Sequence, residues 1–212
     1  MHRKMLYYQL VVWLLLILPL NAADPQFICL PKPQTDGGRP LMQVLKDRKT
    51  TREFSTNALP MQILADLLWG GFGTNRADGH RTAPSTMNSQ EIDIYVALAS
   101  GTYVYEAQRH ELRPVTPGDL RAKTGGQDFV KVAPVALIFV ADLSRMEKAK
   151  PEDRERYAAI DTGYVSQNIY LYCASEGLAT VVHELDRRQL PGLLKLKPDQ
   201  RIILAQSVGY PK

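Results

Sequence analysis

The chain of 212 residues holds only two cysteines, Cys29 and Cys173, and four histidines, His2, His80, His110 and His183. Two distant cysteines cannot furnish a zinc knuckle and the histidines show no paired ligand spacing, so no metal site is indicated. Neither a Gly-x-Ser-x-Gly elbow nor a P-loop occurs, which removes the chemistries those motifs carry. The cluster Gly70-Gly71-Phe72-Gly73 follows a helical pattern rather than a strand and lacks the third glycine of a dinucleotide fingerprint, so it reads as a helix end. Long apolar runs are lacking as well: Leu10 to Leu18 falls short of the ~20 residues that a membrane span needs.

That run has basic Arg3 and Lys4 before it, and Pro19 with the small residues Ala22 and Ala23 after it. This is the pattern of a secretory signal peptide over residues 1–23, cleaved after Ala22 or Ala23 and giving an exported protein, periplasmic or secreted. The rival is an uncleaved anchor that tethers the same domain to the outer face of a membrane. Cys29 follows Gln26-Phe27-Ile28 rather than small residues, which argues against a lipoprotein. Loss of Arg3 and Lys4 leaves 24 basic against 22 acidic residues, so the formal charge falls from +4 to +2. A nucleic-acid binder keeps a strongly basic footprint; this chain does not. In an oxidising compartment Cys29 and Cys173 could join the N-terminal arm to the body, although Cys173, in an apolar helical stretch, reads equally as a small packed hydrophobe.

Residues 24–40 contain four prolines and two glycines and read as an extended arm before a single domain over 41–212. Leu41, Val44 and Leu45 predict a helix over Leu41 to Lys49, and Ile63, Leu64, Leu67 and Leu68 another over Pro60 to Trp69. A long loop from Gly70 to Gln90 runs into Ile92, Ile94, Val96 and Leu98, which alternate with polar residues as in a half-buried strand. Short strands at Thr102 to Tyr105 and Glu111 to Val115 complete a meander. Gly118 to Val132 reads as a helix broken near Gly125-Gly126, and Pro134 to Val140 as a central strand buried on both faces. A long helix opens at Pro151-Glu152-Asp153 and stops at Gly177. Strands follow at Leu178 to Val182 and Arg201 to Val208, with a short helix bearing Leu190, Leu193 and Leu194 between them. Strands and helices do not alternate cleanly, which makes the fold class α+β.

Two segments could carry a ligand. Arg48 and Arg52 are four apart, so a helix continuing through them would put both on one face beside the Thr50 hydroxyl, a set suited to a phosphate. Read alone, Arg48, Lys49 and Arg52 equally well solvate a helix end. Pro84-Ser85-Thr86-Met87-Asn88-Ser89-Gln90 is dense in hydroxyls and carboxamides, a composition that turn formation also explains.

Taken in order along one chain, these segments resemble the nitroreductase superfamily of FMN enzymes. Arg48-Lys49-Thr50-Thr51-Arg52 matches an Arg-x-Ser-x-(Arg/Lys) signature with Thr for Ser, and Pro84 to Gln90 matches a Pro-Ser-x-x-Asn-x-Gln loop. Further similarity lies in Gln127-Asp128-Phe129-Val130, in Gln167-Asn168-Ile169-Tyr170-Leu171, in Gly177-Leu178 with His183-Glu184, and in Val208-Gly209-Tyr210-Pro211. Gly101-Thr102-Tyr103-Val104-Tyr105, His110-Glu111-Leu112 and Gly118-Asp119-Leu120 resemble the SagB/ThcOx-like branch.

The resemblance implies a mixed, mainly antiparallel sheet flanked by helices in an intertwined homodimer. It implies that Arg48, Thr50 and Arg52 bind the FMN phosphate and ribityl chain, and that Pro84, Ser85, Thr86 and Asn88 reach the flavin of the partner subunit. Gln127 would lie near the isoalloxazine edge, and His183, Glu184 and Leu185 would present their backbone near N5; Glu184 also reads as a surface carboxylate closing a strand. No side chain is implied as acid or base, because the flavin carries the chemistry. The expected cycle is ping-pong: NAD(P)H or another donor reduces the flavin, and a small acceptor such as a nitroaromatic, quinone or enone takes the electrons. The branch variant runs a thiazoline or oxazoline oxidation. Export is at odds with NAD(P)H, a cytoplasmic metabolite, and points to a different donor outside. The alternative is a flavin-free exported domain that uses the cleft for another ligand.

Overall fold

A computed structural model describes residues 26–212, so the leader expected over residues 1–23 lies outside the described residues. Among them, no helix is long and apolar enough to cross a membrane. One seven-stranded sheet forms the centre, built from β1 (Ile28–Cys29), β2 (Ile92–Leu98), β3 (Gly101–Glu106), β4 (Glu111–Pro117), β5 (Val135–Asp142), β6 (Ala179–His183) and β7 (Gln200–Gly209). Its order is β1-β4-β3-β2-β5-β7-β6, and every neighbouring pair is antiparallel. The expected α+β class and meander are therefore present, with β5 clamped between β2 (Ile94 opposite Phe139) and β7 (Ile138 opposite Ala205).

All eight residues of β5 are buried, because both faces are covered and its side chains alternate between two cores. Val135, Leu137, Phe139 and Ala141 face the larger core; Ala136, Ile138 and Val140 face the smaller one with Leu190 and Leu194. The larger core is roofed by α2 (Met61–Phe72) and the 23-residue α3 (Arg154–Glu176). Leu64, Leu67, Leu68 and Phe72 from α2 and Val165, Ile169 and Cys173 from α3 fill it, each large apolar side chain contributing about 1.5–3 kcal/mol of burial. The Cys173 thiol is fully buried, and desolvation raises its pKa well above the usual thiol range. Both cysteines are free, with Cys29 exposed on β1. Gly177, at φ +69°, ends α3 in the left-handed conformation that glycine adopts at low cost.

Two expected helices differ. Gly118 to Val132 is not a broken α-helix but two 3₁₀ turns, Arg121–Lys123 and Asp128–Lys131, since Gly125-Gly126 and the small apolar content leave no stripe to pack. The first helix, α1 (Leu41–Asp47), stops before the basic segment.

The arm ahead of α1 is tied down. Leu30 N–H donates to His110 O, and His110 bridges the Tyr105 hydroxyl (2.9 Å) and Pro31 O (3.0 Å). Burial lowers the His110 pKa, and the neutral ring fits this geometry with Nε2–H donating and Nδ1 accepting. The Tyr105 and His110 positions singled out in the sequence thus fasten the arm to β3 and β4.

Candidate functional site

Beyond Asp47 the chain is extended: Arg48 lies at φ −55°, ψ 119°, and the Thr51 N–H donates to Thr180 O at the start of β6. Two β-branched threonines and this bond to the sheet edge stop the helix. Arg48 and Arg52 are therefore not brought to one side by helical spacing, as the sequence suggested. Arg48 and Thr50 both reach Tyr170 on α3, and Arg52 follows in the same segment. Lys49 and Thr51 line a cavity of about 510 Å³ with Tyr170, Thr180 and Pro211. The Arg48 guanidinium sits 5.5 Å from the Tyr170 ring centroid, and Thr50 Oγ1 lies 3.3 Å from the Tyr170 hydroxyl. Downstream, Ser55 N–H donates to Tyr210 O and Lys212 N–H to Glu53 O, so the end of β7 braces the same segment.

Tyr170, on α3, is the organising side chain that no motif assigned a role. Its hydroxyl accepts the Val182 N–H at 3.0 Å, leaving its own proton for Thr50. One helical turn earlier, Ser166 donates to Gln206 Oε1 (2.9 Å), Gln206 Nε2 to Thr180 Oγ1 (3.0 Å), and Thr180 Oγ1 to Ser207 O (2.9 Å), all buried. A fully satisfied buried polar chain fixes position more than it adds stability, and this one sets the distance from α3 to β6. A tyrosine four residues after a buried serine was the only sequence signal. Tyr170→Phe keeps the ring under Arg48 but deprives Val182 N–H of its acceptor. It is expected to lower stability by about 1 kcal/mol in urea unfolding; an unchanged midpoint would mean that solvent serves Val182 equally well.

At the end of β6, alternation buries His183 and Leu185 and exposes Glu184. His183 Nε2 lies 3.0 Å from Ser207 Oγ and Nδ1 lies 3.2 Å from Glu184 O, while Phe129 meets the ring edge-on at 5.7 Å. Burial lowers the His183 pKa and favours the neutral imidazole. A Cβ on Gly125 would stand 2.8 Å from His183 Nδ1 and 3.0 Å from Gln127 Oε1, so the glycine turn brings Gln127 beside His183. Glu184 pairs with Arg187 at 2.7 Å, which lowers its pKa, and Arg187 also donates to Ile202 O and Ile203 O. Glu184 is thus an ion-paired surface carboxylate beside a braced turn. Arg48, Thr50 and Tyr170 are thus tied to β6 at Thr180 and Val182, and Gln127 and the 183–185 turn lie at its far end.

Pro84, Ser85, Thr86 and Asn88 lie elsewhere. Among the described residues no hydrogen bond, ion pair or ring contact joins them to the Arg48 segment or the His183 turn. The loop stands on Asp161, which accepts from Thr86 N (2.7 Å) and Thr86 Oγ1 (3.2 Å). Asp161 precedes Tyr170 by nine residues of α3, roughly 13 Å along the axis. Positive φ at Met87 (53°), Asn88 (54°) and Gln90 (47°) lifts Pro84, Met87 and Asn88 into solvent. Gln90 holds this conformation: its carboxamide accepts from Arg81 Nε (2.8 Å) and donates to Asn88 Oδ1 (3.2 Å), its N–H donates to Ser85 Oγ (2.9 Å), and its carbonyl accepts from Arg145 (3.0 Å).

The fit of a flavin phosphate rests on charge. Among the described residues Arg48, Lys49 and Arg52 have no carboxylate within 4.0 Å, whereas Arg187, at the neighbouring turn, is paired. Cations with free donors beside a threonine hydroxyl suit a phosphate dianion. No group of His, Cys, Asp and Glu among the described residues could hold a metal.

Comparison with known proteins identifies the family to which this fold belongs. The model of the nitroreductase family matches residues 45–210. A protein described as a nitroreductase, from Methanocaldococcus jannaschii, is 28% identical over 168 residues, spanning 74% of this chain and 85% of its own length. The crystal structure of a protein of the same description from Ralstonia eutropha superposes with a TM-score of 0.85 at 44% identity, covering 90% of this chain and 91% of that one. A third structure, from Desulfovibrio desulfuricans and solved in complex with FMN, shares the fold at a TM-score of 0.60 and 20% identity, over 82% of this chain and 88% of that one. With its sheet order, its unpaired basic segment and a match over most of its length, the chain belongs to the nitroreductase family.

Proposed function

We propose that this oxidoreductase binds FMN with the phosphate on Arg48, Thr50 and Arg52 and the ring against the His183–Leu185 turn. The observation that carries the reading is Arg48 held over the Tyr170 ring beside Thr50, with Arg52 in the same segment and no carboxylate of the described residues within 4.0 Å of either arginine. The FMN complex of the relative from Desulfovibrio desulfuricans supports it. Bound FMN would supply the redox chemistry, relaying hydride or electrons at N5 from NAD(P)H or another donor to a small organic acceptor. The protein binds and orients: Tyr170 sets Arg48 and Thr50, Gly125 brings Gln127 to His183, and Arg187 stiffens Glu184.

The loop supports a homodimer. Pro84, Ser85, Thr86 and Asn88 are posed outward on Asp161, far along α3 from their own chain's basic segment, as needed to serve the site of a second copy. The SagB/ThcOx-like specialisation, with oxidation of a thiazoline or oxazoline, and export behind residues 1–23 belong to the same proposal. An extracytoplasmic site would draw electrons from a donor other than a nicotinamide. The test is a visible spectrum before and after addition of FMN, then after reduction. A yellow protein that bleaches is expected; a colourless protein that refuses FMN would overturn the reading in favour of a flavin-free ligand-binding domain.

A further inference from the structure

A second cavity, about 530 Å³, opens where the end of α2 meets β2, β3 and the arm, within the size range of small-molecule sites. It is lined by four arginines and three carboxylates. Three of the arginines are ion-paired: Arg145 with Asp93 at 2.8 Å and with Asp142 at 3.6 Å, Arg113 with Glu106 at 2.8 Å and Arg109 with Glu111 at 3.6 Å. Arg81 is the odd one. No carboxylate of the described residues lies within 4.0 Å of it, although it is more buried than the others' exposed guanidinium ends and burial lowers its pKa.

Arg81 is also held still. Nε donates to Gln90 Oε1 (2.8 Å), Nη1 donates to Phe72 O (3.2 Å), and the guanidinium stacks 5.1 Å from the Phe72 ring centroid. A guanidinium carries five N–H donors, so the outer N–H groups on Nη1 and Nη2 remain for an end-on, bidentate partner. Phe27, 56% exposed, adds an apolar wall to the same cavity. Fixing an arginine with neutral acceptors and leaving its charge unmatched makes a preorganised anion seat.

We propose that this cavity is a binding site for a small monoanionic carboxylate with an apolar body, its carboxylate on Arg81 and its body against Phe27. One unmatched positive charge selects a monoanion over a phosphate dianion, and the planar fork selects a carboxylate. The site is distinct from the proposed phosphate seat at Arg48, Thr50 and Arg52 and does not depend on the flavin reading, although Gln90, which holds Arg81, also pegs the Pro84 loop.

The experiment is calorimetric titration of the full chain with phenylacetate and with phenylacetamide, which has the same body and no charge. Phenylacetate is expected to bind with a millimolar or tighter Kd, about tenfold or more tighter than the amide. Arg81→Gln should abolish the difference, and Arg48→Ala with Arg52→Ala should leave phenylacetate binding unchanged, which separates this site from the proposed flavin site. Equal affinities for acid and amide, or an Arg81→Gln protein that still prefers the acid, overturns the proposal. If Arg81→Gln does not fold, Phe27→Ala decides: a severalfold loss of phenylacetate affinity supports the site, and no loss overturns it.

Discussion

The Arg48→Ala, Arg52→Ala double variant is expected to bind FMN roughly a hundredfold to ten-thousandfold more weakly than the parent, as read from flavin fluorescence quenching. Each charge-assisted contact to a phosphate contributes about 1.5–3 kcal/mol, and two lost contacts convert to that range at about 1.4 kcal/mol per factor of ten. Removing these arginines leaves no carboxylate stranded among the described residues, where neither is ion-paired, so the loss reports on the ligand rather than on a broken internal bridge. Arg48 also stacks on Tyr170, and the single variants should therefore differ, with Arg48→Ala costing some stability and Arg52→Ala almost none. The control is Lys49→Ala. Lys49 lines the cavity with Thr180 and Pro211 and, among the described residues, makes no contact with the Tyr170 hydroxyl or ring of the kind that holds Arg48 and Thr50, and its loss should change FMN affinity by no more than about twofold, the scale of a screened surface charge. If Lys49→Ala were the damaging change, the phosphate would sit in that cavity, and the proposed grouping of Arg48, Thr50 and Arg52 would be wrong.

Much of the fold was legible because period and burial coincide. The alternation at Ile92 to Leu98, the apolar run at Val135 to Val140 and the stop at Gly177 each follow from one local rule, and all appear. What was not legible depends on partners distant in sequence. The helix was expected to run on to Lys49, and it ends at Asp47 because Thr51 N–H finds Thr180 O, 129 residues away. The Gly118 to Val132 segment carries helix-permissive residues, yet the glycine turn is needed to seat Gln127 against His183. Tyr170 escaped notice for the same reason: as one aromatic on an apolar helix it looks like core, and only the positions of Thr50 and Val182 show what its hydroxyl does. Gln90 was visible as a motif letter, but its role as the peg of the Pro84 loop required Arg81 and Arg145 to be in place.

Glu91→Gln is expected to make the protein more stable than the parent at pH 8 by roughly 3 kcal/mol, and no more stable at pH 4.5. Glu91 is fully buried, with no hydrogen-bond partner for either carboxyl oxygen among the described residues. Burial, reinforced by the Asp161 carboxylate and partly opposed by Arg145, pushes its pKa from 4.5 up to about 7. A folded pKa above the unfolded one means that the folded state holds the proton more tightly. The stabilisation is complete below the unfolded value and is lost as pH rises through about 7. Glutamine keeps the shape, cannot ionise, and can donate to Asp161, so its profile between pH 5 and 8 should lack this decline. Urea unfolding of both proteins across that range checks it, and parallel profiles would show that Glu91 is not the titrating group. The consequence reaches the site. Asp161 holds both donors of Thr86, and Glu91 follows the Gln90 peg directly, so a second negative charge appearing beneath Asp161 loosens the Pro84–Gln90 loop. In the proposed dimer that loop serves the partner's flavin, and FMN affinity of the parent should weaken from pH 6 to pH 8 more than that of the Glu91→Gln protein.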